Sequence, residues 1–150
     1  MVPLLKELSI TEKTAKPPEY KDIDFTAFQM IQIALKKKCQ LDVRVLGKSM
    51  NPILFEEDIL TVYPLLSLEN LKRFDVIIFW QNNLLICHYF WRFNTHFQTD
   101  STTLLTRPLN PVRAHDHPIE MSQVLGIVPS VYINRWLRFK ILFYAIKDRF

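Results

Sequence analysis

Ser49 stands in the stretch "VLGKSMNPILFEEDILTVY" (45–63), between Lys48 and Met50, two residues after Gly47 and three before Pro52. A serine hydroxyl is a weak nucleophile at its own pKa, so attack on a carbonyl requires a base within hydrogen-bond reach and donors for the oxyanion. The candidate bases are few. No lysine occurs between Arg73 and Phe139, whereas histidines stand at positions 88, 96, 115 and 117. His88 lies inside the apolar run "LLICHYFWRF", where burying an imidazole requires a partner for it. His96, His115 and His117 lie in polar, loop-like sequence and are expected in solvent. The alternating pair in "HDH" (115–117) lacks further ligands at suitable spacing, so no metal site and no cofactor is expected. Cys87 is adjacent to His88 in a strand pattern and should point to the opposite face, which disfavours a Cys-His pair.

The elements that must hold these residues follow from periodicity. From Asp24, a plausible N-cap, the residues Phe25, Phe28, Ile31 and Leu35 recur at helical spacing and "KKK" (36–38) suits the negative end of the helix dipole. The period then changes: Leu41, Val43 and Val45 alternate with Asp42 and Arg44, a half-buried strand ending at Gly47 and leaving Ser49 just beyond it. Further strands are expected at 59–63, 75–80 and 84–93, with "QNN" (81–83) as the hairpin turn between the last two, and at 103–106 and 124–128. The segment 131–147 reads as a helix with Asn134, Arg135 and Arg138 as a polar stripe. With only two glycines in the chain, Gly47 and Gly126 are each expected at a special backbone position. The polar, Pro17-Pro18-bearing segment 1–22 reads as an extended arm.

Composition narrows the class. A chain of 150 residues, 49% hydrophobic and 23% charged, suits one globular domain with one core. Two cysteines and no CxxC spacing give no disulfide framework and fit a reducing compartment. The apolar runs fall short of the roughly 20 residues that span a bilayer, and residues 1–20 show no secretory pattern, so a cytoplasmic location is expected. The net charge of +4 sits in the tail: residues 134–150 carry five basic residues against Asp148 alone, and the body is neutral. This argues against a broad nucleic-acid face and for a local role at the C-terminal end, where residues 131–150 are expected either to make peripheral contact with the inner membrane surface or to pack on the sheet as a terminal helix.

Four stretches in order resemble the S24/S26 serine peptidases, the family of signal peptidases and LexA-type repressors. They are "GKSMNPILFEEDILTV", "FDVIIFW", "LLICHYF" and "LTRPLNPVRAHDHPIEMSQVLGIV", and they span about Cys39 to Val128. The resemblance implies a mainly β, α+β fold: a signal peptidase/LexA-like β domain (23–130) with an N-terminal amphipathic helix and a C-terminal helix. It implies Ser49 as nucleophile and His88 as general base, the histidine branch of the family typified by the endoplasmic-reticulum signal peptidase. An aspartate of the late stretch would orient the histidine, with Asp116 the nearest match and Asp100 a substitute. Met50 would pack at the substrate cleft, flanked by Gly47 and Pro52. The implied activity is endopeptidase cleavage of an extended peptide with a small residue before the cut. The departures are Glu57 and Phe74 where the family has the glycine of a Gly-Asp pair, and Gly47 where signal peptidases often carry a hydroxyl. These leave the Ser49 N–H as the main oxyanion donor and allow an alternative, a catalytically impaired peptide-binding module. A self-cleaving repressor fits poorly, since the base lysine, an Ala-Gly or Cys-Gly bond upstream and a helix-turn-helix are all missing.

Overall fold

A computed structural model describes residues 22–96, 101–111 and 114–148. The arm expected at 1–22 therefore lies outside the described residues except for Asp22, as does Asp100. Two helices and six strands follow in the order α1 (Phe25–Lys38), β1 (Leu41–Arg44), β2 (Ile59–Val62), β3 (Val76–Gln81), β4 (Leu84–His96), β5 (Ser101–Arg107), β6 (Val124–Ile127) and α2 (Arg135–Lys147). The strands pair antiparallel in two sheets. One holds β1 and β2, the other the order β5-β4-β3-β6, and a bridge between Tyr63 and Ile127 ties the end of β2 to β6. The architecture is thus mixed, with antiparallel strands dominant.

Local chemistry accounts for the element ends. Asp24 caps α1, its Oδ1 accepting from the Ala27 N–H at 2.7 Å, and Cys39 closes the helix in the left-handed conformation with Lys36, Lys37 and Lys38 in the last turn. Phe28 and Leu35 are the buried residues of this helix. Phe25 is instead part-exposed, its ring 5.3 Å from that of Trp80. In the hairpin between β3 and β4, Asn82 and Asn83 both take positive φ, 51° and 60°, as a two-residue turn matched to the strand twist requires.

β3 explains why "VIIFW" reads as an unbroken apolar run. Val76 and Ile78 enter one core, with Phe28, Leu35, Val43, Leu60, Tyr89 and Ile141, while Ile77 and Phe79 enter a second, with Leu71, Phe90, Leu104, Ile119 and Val124. A central strand covered on both faces loses the alternation of a half-exposed one. Burying each such aliphatic side chain contributes about 1.5–3 kcal/mol.

Three expectations need correction. β4 runs on to His96, so the "NTH" read as loop is strand, because its backbone pairs with β5 in register through His96 and Ser101. α2 starts at Arg135, not 131, because the Asn134 side chain caps it by accepting from the Leu137 N–H at 2.9 Å. Gly47 has no positive φ, and a Cβ built there meets nothing within 4 Å. Gly126 does need its hydrogen: a Cβ there would lie 2.2 Å from the Tyr63 carbonyl oxygen, where β6 runs against the end of β2.

The left-handed positions fall on other residues. Glu57 and Phe74 have φ of 74° and 77°. Each is followed by an aspartate that closes the same kind of turn. Asp58 Oδ2 accepts from the Phe55 N–H and Asp75 Oδ2 from the Lys72 N–H, both at 2.8 Å. A glycine-aspartate pair would make these two turns without strain; here the aspartate is kept and the backbone conformation is imposed on Glu57 and Phe74.

Candidate active site

Ser49 lies in the turn between β1 and β2, and its backbone is held from the far side of the molecule. The Leu109 and Asn110 N–H groups both donate to the Ser49 carbonyl oxygen at 2.8 Å. Met50, the next residue, is buried in the first core and anchors the turn from below. The Ser49 N–H makes no hydrogen bond among the described residues, so it is free to donate to an incoming oxygen.

His88 comes from the middle of β4, opposite Ile77 of β3, with its ring edge-on to Phe79 at 6.0 Å. It is one of two polar residues buried among the described ones, the other being Thr106. Its two nitrogens are both occupied. Nε2 lies 3.0 Å from Ser49 Oγ, and Nδ1 lies 2.6 Å from Asp116 Oδ2. A carboxylate can only accept, so Nδ1 carries the proton and Nε2 presents its lone pair to the serine hydroxyl.

Asp116 is brought there by a segment that runs beside β5. Its N–H donates to the Thr106 carbonyl, and Leu104 and Ile119 bridge the same pair of segments. The Thr106 hydroxyl also donates to Asp116 Oδ2 at 2.6 Å. That oxygen thus takes two donors, which fixes the carboxylate against the imidazole. Ser49, His88 and Asp116 form one connected line, while His115 and His117 are exposed outside it. Desolvation, then the Arg107 charge, lower the pKa of His115, while the Asp148 and Asp116 carboxylates oppose this. Among the described residues no group of three His, Cys, Asp or Glu side chains could hold a metal ion.

Beside Ser49 opens a pocket of about 140 Å³. Gly47 and Met50 line it with Val43, Val45, Ile78, Leu85 and Cys87 among others, whereas Pro52 is exposed in the turn that follows Ser49. The lining is mainly apolar, with Arg44 and Ser49 as its polar side chains. Desolvation pushes the Cys87 thiol up to about 12, so it stands in the wall as a neutral group and not as a nucleophile. It sits on the face of β4 that carries Leu85 and Tyr89, the opposite face from His88, as alternation demands.

Sequence reasoning gave no role to Thr106, Leu85 or Cys87. The last two had a signal, since residues two and four apart on a strand share a face and Cys87 lies on the side of β4 that meets β1. Thr106 had none, because its importance depends on a segment ten residues later folding back across it.

Comparison with family models, curated proteins and solved structures returns no match to this chain.

Proposed function

We propose that this protein is a serine endopeptidase of signal-peptidase-like type and fold, in which Ser49, His88 and Asp116 act as nucleophile, general base and orienting carboxylate. The observation that carries the reading is the continuous hydrogen-bonded line from Ser49 Oγ through both nitrogens of His88 to Asp116, ending beside a pocket that Ser49 itself lines. A histidine with a merely structural role needs one partner. This one is held in the tautomer that accepts a proton from a hydroxyl.

In the proposed reaction the peptide lies extended along β1, whose edge away from β2 has no strand partner among the described residues, and binds by main-chain pairing. The side chain before the cut enters this pocket, whose volume of about 140 Å³ has room for more than the small residue the resemblance implies. Ser49 Oγ attacks the carbonyl as His88 Nε2 takes its proton. The Ser49 N–H donates to the oxyanion, and Asp116 stabilises the imidazolium. His88 then returns the proton to the leaving amine. Water, activated by the same base, releases the acyl group from Ser49. Both cysteines are free thiols, which agrees with action in the cytoplasm. No helix among the described residues is long and apolar enough to cross a membrane.

The test needs no knowledge of the natural peptide. Wild-type protein treated with a fluorophosphonate should gain one adduct by intact mass, located on Ser49 by peptide mapping, and Ser49→Ala should gain none. His88→Ala should react more slowly by orders of magnitude. A wild-type protein that reacts no faster than His88→Ala would instead be a peptide-binding module that keeps the groove without the chemistry.

A further inference from the structure

α2 is fastened to the body by one face only. Leu137, Ile141, Leu142 and Ala145 pack on the first core, and Arg138 lies over the rings of Phe74 and Tyr132 while its Nε donates to the Ile133 carbonyl at 2.6 Å. The sequence-based expectation of a polar stripe through Arg138 is therefore reversed: this arginine turns toward the body, and the outward face is apolar.

That outward face has a definite pattern. Trp136, Phe139, Phe143 and Ile146 follow at intervals of three, four and three residues, which places them in one line down the helix over about 15 Å. Their exposure runs from 56% to 72%. The rings of Trp136 and Phe139 stack on each other at 6.4 Å and both remain mostly exposed. The flanks carry the exposed cations Arg135, Lys140 and Lys147, and the helix contains no acidic residue. Single exposed apolar side chains are ordinary, but four in register between cations form a continuous surface that favours a partner.

Charge decides which partner. A second copy of the chain laid against this face would bring identical cations together, and like charges across an interface disfavour that contact. A bilayer containing acidic lipids answers both features at once. The line of Trp, Phe and Ile enters the boundary between headgroups and acyl chains, and the flanking cations meet the lipid phosphates and carboxylates. We propose that α2 lies flat in the surface of an anionic membrane through Trp136, Phe139, Phe143 and Ile146, with Arg135, Lys140 and Lys147 at headgroup level. The face turned to the lipid is the one the core does not use, so docking requires no unfolding. This inference does not rest on the peptidase reading.

The protein should sediment with vesicles of phosphatidylcholine and phosphatidylserine, far less with phosphatidylcholine alone, and less with the anionic vesicles as salt is raised. The triple variant Trp136→Ser, Phe139→Ser, Phe143→Ser should lose at least tenfold in partitioning while its thermal unfolding stays that of the wild type. Lys140→Ala and Lys147→Ala should each cost about fivefold. Trp136 fluorescence should shift to the blue with anionic vesicles, a change that Trp136→Phe removes. Wild-type protein that ignores anionic vesicles overturns the proposal, and so does a triple variant that still binds them. A concentration-dependent dimer that the triple variant abolishes, without vesicle binding, would make the stripe a contact between copies and also overturns it.

Discussion

Replacing Asp116 by asparagine probes the site at the point where its geometry is most specific. The carboxylate sits 2.6 Å from His88 Nδ1, and the two side chains are only 14% and 9% exposed, so their interaction is poorly screened. In the proposed attack on a carbonyl, His88 becomes positive. A unit charge about 4 Å from the centre of the carboxylate is worth about 4 kcal/mol at an effective dielectric of 20, and asparagine forfeits nearly all of it. The amide brings a second loss. When its NH₂ faces Nδ1, the ring proton moves to Nε2 and points at Ser49, so the base is blocked. At about 1.4 kcal/mol per factor of ten, the charge alone predicts a fall of roughly 10³, and the tautomer carries it toward 10⁴, the scale seen for this exchange in serine-histidine-aspartate sites. The assay is the second-order rate of fluorophosphonate labelling of Ser49, followed by intact mass, with circular dichroism to verify the fold. Labelling of Asp116→Asn within a factor of ten of the wild-type rate, in a folded protein, would refute the role given to this carboxylate.

Other substitutions test the frame around the site. Thr106→Val keeps the shape of a buried side chain but removes the donor to Asp116 Oδ2 at 2.6 Å; a hydrogen bond to a charged group is worth about 1.5–3 kcal/mol, so chemical denaturation should show a loss of that size. Labelling of Ser49 should slow at the same time, and a stability equal to wild type would show that the hydroxyl does not hold the carboxylate. Glu57→Gly relieves a left-handed backbone but also removes the carboxylate 3.0 Å from Arg44, whose side chain is only 12% exposed. In an Arg44→Ala background, where that pair is already gone, Glu57→Gly should raise the midpoint of unfolding by a relief of about 1–2 kcal/mol. Gly126→Ala places a methyl 2.2 Å from the Tyr63 oxygen and 2.8 Å from Val62 Cγ1, which must push β6 away from β2. Thermal unfolding should register a loss of more than about 3 kcal/mol, beyond ordinary point substitutions.

Much of this protein follows from local pattern. The spacing of Phe28 and Leu35, the Asp24 cap, the alternation from Leu41 and the paired asparagines of the β3–β4 turn are properties of neighbouring residues, and neighbouring residues fix helices, strands and tight turns. The order of six strands between two helices was legible for that reason, and His88 stood out because an imidazole in an apolar strand demands a partner. What the partners are is a different kind of fact. Ser49 and His88 are 39 residues apart and His88 and Asp116 are 28 apart, so no periodicity connects them; resemblance to a family proposed the trio, and the chain's folding sets the distances of 3.0 and 2.6 Å. Thr106 enters only because the Asp116 segment crosses β5. The burial of β3 on both faces depends on two separate cores closing over it, and the same holds for α2. Its sequence suggests a polar stripe through Asn134, Arg135 and Arg138, and only the direction from which the core approaches decides that Arg138 and Ile141 turn inward while Trp136, Phe139, Phe143 and Ile146 are left facing outward.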